Sequence, residues 1–153
     1  MTNFKDKYKS RLRTKPRYGG HDPLDARLRR YTLNHSKEHQ KQAIEGKETP
    51  RMSWHTRQDD GSYECVVRVS NRAVDMGGGD RTVVENHDAL IEYYKALINA
   101  LESGELDQDL LETAAEIKSM KHEALPILEK RFPDSEILKK HSNSKSVPTT
   151  DVA

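Results

Sequence analysis

Apolar and polar residues alternate in the middle of the chain in a way that predicts a β-hairpin. Residues 52–57 and 63–70 both follow a period of two, which is the side-chain period of a strand. The intervening Gln58-Asp59-Asp60-Gly61 is a tight-turn sequence, and a further strand is expected at residues 81–85. The inward face of this sheet is predicted to consist of Trp54, Tyr63, Cys65 and Val67.

After the sheet, apolar residues recur every three or four positions, which predicts helices. Asn86 can cap a first helix that ends at Ser103-Gly104, and a second, acidic helix is expected over about residues 107–123. Because the connection between them is short, the two helices are expected to form an antiparallel hairpin. The residues predicted to cover the inward face of the sheet are Leu90, Tyr94 and Leu97.

A long helix is also predicted before the sheet, from Pro23 to about Glu45, with Gly46 as its stop. Few apolar residues lie on it, so its stability is expected to depend on docking against another surface. Two partners are possible for this helix: nucleic acid, or a protein subunit that packs against the apolar face of the helix. The face toward a subunit would contain Leu24, Leu28, Tyr31 and His35, and the contacts to nucleic acid would come from Arg27, Arg29 and Arg30.

Together these patterns predict an α+β fold, with a small antiparallel β-sheet (a hairpin plus one or two strands) covered by a helical hairpin. Hydrophobic residues make up 33% of the chain and charged residues another 33%, so a compact core is expected to use only part of it. The predicted division is an extended basic arm over residues 1–21, a basic helix over 22–46 with a linker to 50, a core domain over 51–132, and a short helix with a disordered, flexible tail over 133–153, the tail beginning at Ser142.

The N-terminal arm carries the clearest functional signal, because every odd-numbered position from 5 to 17 is basic. In an extended chain, a period of two places these cations on one side about 7 Å apart, whereas a helix would split them into stripes. Such a ladder suits a run of phosphates, and the interpretation depends on the arm being extended. The predicted nucleic-acid-binding residues are Lys5, Lys7, Lys9, Arg11, Arg13, Lys15 and Arg17, and Tyr8 and Tyr18 are available to stack on exposed bases.

Charge is divided unevenly along the chain. Residues 1–57 contain 15 Lys and Arg against 6 Asp and Glu, a balance of +9, whereas residues 58–153 contain 11 against 19, a balance of −8. This asymmetry favours nucleic acid, DNA or RNA, as a partner that is bound largely without sequence specificity. The alternative is a structural component of a large assembly, such as a virion or a homo-oligomer. In this case the basic termini of one subunit would bind the acidic region of its neighbour.

Strands followed by a helix, with Trp54 and Arg68 near the hairpin, give residues 51–103 a topology that resembles small sheet-plus-helix DNA-binding domains, such as the arm-site domains of phage integrases. No specific motif is shared. The resemblance implies that the exposed face of the sheet enters the major groove, although Glu64 and the acidic helices oppose DNA there. That face would offer His55, Arg57, Glu64, Arg68 and Arg81.

Nothing in the sequence indicates a catalytic site, a metal site or a cofactor, so an enzyme is not expected. His35 and His39 have the spacing of zinc ligands on a helix, but no third ligand is evident and both are expected to be exposed. Cys65 is the only cysteine and is expected to be a small buried apolar residue in a reducing compartment. No apolar run reaches the length of a membrane span, so no membrane partner is expected, and the expected location is the cytoplasm or the interior of a nucleoprotein particle.

Overall fold

The described part of the chain, residues 3–11, 22–47 and 53–146 of a computed structural model, combines helices with two small antiparallel sheets. This confirms the predicted α+β class. The elements in chain order are α1 (Phe4–Tyr8), a 3-10 helix (Lys9–Arg11), α2 (Leu24–Ile44), β1 (His55–Arg57), β2 (Tyr63–Cys65), β3 (Arg68–Val69), β4 (Arg72–Ala73), β5 (Thr82–Val84), α3 (His87–Ser103), α4 (Asp107–Ala115), α5 (Lys121–Arg131) and α6 (Glu136–Ser146).

The predicted β-hairpin is confirmed and forms the centre of the larger sheet. β1 pairs with β2, and β2 pairs with β5, so the expected further strand at residues 81–85 completes a three-stranded antiparallel sheet in the order β1-β2-β5. The second strand of the hairpin is shorter than predicted, because it ends at Cys65. The residues that follow, Arg68 and Val69, pair with β4 in a separate two-stranded sheet.

The face predicted for His55 in this hairpin is wrong. His55 was expected on the exposed face, but only 2% of its surface is exposed. It lies directly opposite Cys65, and opposed residues of paired strands point to the same side, so both face the core. Trp54 is buried as well, because it precedes β1 and packs against α2 instead of following the alternation of the strand.

Helix α2 belongs to the same hydrophobic core as the sheet and the later helices. It contacts α3, α4 and α5, which places it at the centre of the helical layer. The dependence on docking that its composition predicts is therefore met within the chain. The residues that α2 contributes to the core are Leu24, Leu28 and Ala43, and the sheet and α3 contribute Trp54, Cys65, Val67, Leu90, Tyr94 and Leu97.

The buried face of α2 is more polar than predicted. Tyr31 is 41% exposed, whereas Thr32 and Ser36 are fully buried. Each hydroxyl donates a hydrogen bond to a carbonyl one turn earlier in the helix, at 2.6 Å from Thr32 to Leu28 and at 2.8 Å from Ser36 to Thr32. Because these bonds satisfy the hydroxyl groups locally, small polar side chains can line the close contact between α2 and its neighbouring helices.

The helices after the sheet follow the prediction at α3 and depart from it later. The Asn86 side chain accepts a hydrogen bond from the amide of Ala89 at 2.9 Å, which is the predicted cap. The single acidic helix expected over residues 107–123 is instead divided between α4 and the start of α5. Between Glu116 and Met120, backbone amides donate hydrogen bonds to the carbonyl three residues earlier, and these turns interrupt the α-helical pattern. Helix α6 continues through Ser146, beyond the predicted start of the tail at Ser142, and residues 147–153 lie outside the described part of the chain.

No helix within the described ranges is both long enough and apolar enough to cross a lipid bilayer.

Gly104 ends α3 in the left-handed region, with φ +83°, and lies against charged side chains. A Cβ atom at this position would be 2.8 Å from Nη2 of Arg29 and 3.3 Å from Oδ2 of Asp107. We therefore expect Gly104→Ala to lower the free energy of unfolding by about 1–3 kcal/mol, measured by urea denaturation, because both the backbone and the contact become strained. Gly78→Ala is the matched control, since no atom lies within 4 Å of its Cβ position and its φ is not positive. Equal losses in the two variants would contradict the prediction.

Candidate nucleic-acid interface

The N-terminal basic segment is helical where it is described, so the predicted extended ladder is wrong for residues 4–11. The Asn3 side chain caps α1 by accepting a hydrogen bond from the amide of Asp6 at 2.9 Å, and Asp6 itself lies in the first turn, where a carboxylate is favourable. The rings of Phe4 and Tyr8, four residues apart, pack with centroids 4.8 Å apart. A lone strand would leave its backbone groups without partners, whereas these local contacts stabilise a helical turn.

Helix formation arranges the cations around the aromatic pair. At about 100° per residue, Lys5 and Lys7 lie roughly 80° to either side of the line through Phe4 and Tyr8, and Asp6 lies on the opposite side. Lys9 and Arg11 follow in the 3-10 helix. The segment therefore presents an aromatic strip with a cationic flank on each side, which the strict alternation in the sequence had not suggested.

The cations of this segment are exposed to solvent. Lys5, Lys7, Lys9 and Arg11 are all in the exposed class, and none of them forms an ion pair with a carboxylate among the described residues. Lys7 Nζ lies 5.6 Å from the centre of the Tyr8 ring, within reach of a cation–π interaction. The other predicted contact residues of the arm, Arg13, Lys15 and Arg17, lie outside the described part of the chain.

The arginines of α2 have a different environment, because carboxylates of the same chain already contact them. Arg27 forms an ion pair with Glu123 of α5, and Arg30 pairs with Asp22 at 3.1 Å. Arg29 binds Asp107 of α4, with 3.1 Å between its Nε and Oδ1 of the carboxylate. The predicted site therefore divides into an exposed arm and a helix in which Arg27 and Arg29 hold α2 against α5 and α4, whereas Arg30 pairs with Asp22 just before the helix.

Asp107 is the centre of this network of ion pairs. Its side chain is 1% exposed. Arg29 donates hydrogen bonds to both carboxylate oxygens, and Arg131 of α5 donates to Oδ2 at 3.0 Å. Arg131 also pairs with Asp25 of α2 at 2.7 Å. The hydrogen bond to Asp107 raises the pKa of Arg29 against the opposing effect of burial, so its guanidinium remains charged at this partly buried position.

The exposed face of the sheet offers less positive charge than the resemblance to sheet-plus-helix DNA-binding domains implied. His55 is buried, and the Arg81 side chain pairs with Glu64 at 3.2 Å. Arg68 directs one guanidinium nitrogen to the backbone carbonyl of Asn71 at 3.3 Å. Arg57, the remaining cation expected on this face, is exposed and also has a partner within the chain.

A column of aromatic rings joins α2 to the sheet through His35 and His39. His39 stacks on Trp54 with 5.1 Å between centroids, and His35 stacks on the same ring at 5.9 Å. The expectation that both histidines are exposed is wrong, because His39 is 7% exposed and His35 is half-buried. Burial, reinforced by nearby His55 and His35, lowers the pKa of His39 from 6.5 to about 4. At neutral pH the ring is therefore an uncharged part of the core.

The described residues supply little for catalysis or metal binding. No group of three or more His, Cys, Asp or Glu side chains in these ranges is arranged to hold a metal ion. Cys65 is 1% exposed, as expected for a small buried residue, and burial raises the pKa of its thiol to about 12. The thiol is consequently protonated and inaccessible at neutral pH, which is unsuitable for a nucleophile.

A groove of about 750 Å³ carries the opposite charge to the arm. Burial, and then the nearby charge of Glu112, raises the pKa of Asp109. Lys140 pairs with Glu116 at 3.3 Å at its edge. The carboxylates that line the groove are Asp75, Asp80, Asp109, Glu112, Glu116 and Glu136, and Arg72 is the cation among the lining residues.

No protein-family model, curated protein or solved structure matches this chain. The site therefore has to be judged from its own residues. Reasoning from sequence overlooked Phe4, although its spacing to Tyr8 and the Asn3 cap were visible signals of a helical turn. It also overlooked Asp107 and Glu123 as partners of α2, for which no local signal exists.

Proposed function

We propose that this protein is a non-enzymatic accessory protein that binds nucleic acid mainly through phosphate contacts of its N-terminal basic segment. Because residues 4–11 are helical, the extended ladder no longer supports this proposal for these residues. The observation that carries the proposal is instead the contrast between two sets of cations. Lys5, Lys7, Lys9 and Arg11 are exposed and without carboxylate partners among the described residues, whereas Arg27 and Arg29 are held by Glu123 and Asp107. Exposed cations can replace the counterions of a phosphate backbone without first breaking an ion pair.

The proposal assigns binding to the segment over residues 5–17 and a supporting role to the folded body. The arginines of α2 are left out of the contact surface because each already has a carboxylate partner in the chain, and the partner of Arg29 is buried. The acidic balance of residues 58–153 would repel a polyanion from the body, which favours contacts confined to the basic end. A location in the cytoplasm or inside a nucleoprotein particle is part of this proposal.

We expect the combined substitution Lys5→Gln, Lys7→Gln, Lys9→Gln and Arg11→Gln to weaken binding and its dependence on salt. Each phosphate contact contributes about 0.7 to the slope of log K against log salt for single strands and about 0.9 for duplex, so removal of four contacts should reduce the slope by about 3. Fluorescence anisotropy with labelled oligonucleotides of about 20 nucleotides, between about 50 and 200 mM salt, measures both quantities.

The matched control removes the same number of positive charges from exposed positions elsewhere on the body. Lys37→Gln, Lys41→Gln, Lys118→Gln and Lys121→Gln are combined in one variant for this purpose. This variant should keep the wild-type slope. A slope that falls equally in both variants would mean that binding follows net charge alone, and wild-type binding in the arm variant would refute the proposed interface.

A second candidate function is supported by the acidic groove, which is complementary in charge to the basic segment. In this case the protein would be a structural component of a large assembly, with the basic N-terminus of one copy bound in the groove of the next. The observation that favours it is the lining of the groove, in which six carboxylates stand against one arginine. Such contacts would propagate from copy to copy and would weaken as salt is raised.

Self-association separates the two candidates. If the groove binds the basic segment, sedimentation velocity at low salt should show oligomers that dissociate in the four-glutamine arm variant and equally in Asp75→Asn combined with Asp109→Asn. If the first proposal holds, the groove variant should bind oligonucleotides like the wild type, and the arm variant should sediment with the same mass as the wild type.

A further inference from the structure

We propose that the aromatic strip of α1, formed by Phe4 and Tyr8, directs the N-terminal segment to single-stranded nucleic acid by stacking on unpaired bases. The inference rests on the proposed function and adds the class of nucleic acid to it. It depends on the helical arrangement of residues 4–11, because an extended segment would not bring the two rings together.

The exposure of the strip is the first observation. Phe4 is 72% exposed, more than any other large hydrophobic residue in the described part of the chain. The two rings lie 4.8 Å apart and are tilted by 45°, so they form one aromatic patch of which Phe4 is the more accessible member. An apolar ring held in water is unfavourable, which makes a partner for this patch energetically useful.

The surroundings of the strip indicate the chemistry of that partner. Lys5 and Lys7 flank the rings, so a ligand that covers Phe4 and Tyr8 would also meet positive charge on both sides. A single strand offers flat bases between phosphates, which matches rings between cations. A duplex keeps its bases stacked inside, and the rings would then contribute little beyond the phosphate contacts of the flanking lysines.

A lipid surface fits the strip less well. The helix spans only Phe4–Tyr8 and is followed by a short 3-10 helix, and its apolar side holds two rings. Anchoring to a membrane through an amphipathic helix requires a larger buried apolar area. Anionic vesicles therefore serve as a competing ligand in the experiment.

The test compares full-length variants that differ only in the two rings. Phe4→Ala combined with Tyr8→Ala removes the strip and keeps all cations, and alanine retains helix propensity. Binding is measured on a labelled thymidine oligonucleotide, on a duplex of the same length, and on vesicles of mixed phosphatidylcholine and phosphatidylserine. We expect at least about a tenfold weaker affinity for the single strand, with little change for the duplex and an unchanged salt slope.

Two further variants separate stacking from general apolarity. Phe4→Tyr combined with Tyr8→Phe keeps both rings and should restore single-strand affinity, whereas Phe4→Leu combined with Tyr8→Leu should not. An alanine variant that binds both nucleic acids like the wild type, or leucine that restores affinity, would overturn the inference. So would vesicle binding that depends on the rings more strongly than single-strand binding does. The proposed function fails separately, if the wild type binds neither oligonucleotide.

Discussion

Replacement of Asp107 by asparagine is expected to cost about 3 kcal/mol of unfolding free energy. The substitution keeps the shape of the side chain but removes the charge that Arg29 and Arg131 share. Breaking a buried pair typically costs about 3–5 kcal/mol, because the remaining charge has no partner. The lower end applies here, since the two guanidinium side chains are 39% and 36% exposed and can be partly rehydrated. Urea denaturation at neutral pH measures the loss.

Asp22→Asn is the matched control for this prediction. It breaks the pair between Asp22 and Arg30, in which both side chains are more than a third exposed, and pairs of this kind contribute at most about 1 kcal/mol. If the two variants lose the same small amount, then Asp107 does not hold α2 to α4 and α5 as described. The Asp107 variant should bind oligonucleotides like the wild type under conditions where it is folded, because the proposed interface does not include this network.

Elements fixed by short-range interactions were the ones that the sequence predicted well. The hairpin and the cap at Asn86 follow from periodicity and from residues adjacent in the chain, and both are confirmed. The helical conformation of residues 4–11 also depends on local contacts, namely the Asn3 cap and the pairing of Phe4 with Tyr8. The alternation of cations favoured a strand and so led to the wrong prediction. Alternation specifies a strand only when pairing with a neighbouring strand or burial of one face stabilises the extended conformation.

The environment of the α2 arginines could not be read from the sequence in the same way. Arg29 and Asp107 are 78 positions apart, and Arg27 and Glu123 are 96 apart. A basic helix that binds phosphate and one that binds acidic neighbours in its own fold have the same composition. Only the packing of α2 on α4 and α5 distinguishes them, and that packing depends on the whole core. The candidate site was therefore predictable as a charge pattern, but its division into exposed and internally paired cations was not.

The histidine column predicts a loss of stability in mild acid. His39 has a pKa of about 4 when folded, against an ordinary value of 6.5, so the unfolded chain takes up a proton at higher pH than the folded chain does. Unfolding free energy should therefore be independent of this group above about pH 7 and fall as the pH drops from 6.5 toward 4. At 1.36 kcal/mol per pH unit, the contribution of His39 reaches at most about 3 kcal/mol.

His39→Phe isolates this contribution, because phenylalanine can keep the stack on Trp54 but cannot bind a proton. Carboxylates also titrate below about pH 5, so the quantity to compare is the difference between variant and wild type in urea denaturation across the range. That difference should shift in favour of the variant as pH falls, whereas His122→Gln, at an exposed position of α5, should follow the wild type. Parallel curves for His39→Phe and the wild type would show that a buried His39 does not oppose protonation. His55 faces the His39 ring edge-on at 6.4 Å, so a charge on one imidazole would disfavour a charge on the other. The Nδ1 atom of His55 also lies 2.7 Å from the hydroxyl group of Tyr94 in α3. The acid transition should therefore involve α2, β1 and α3 together.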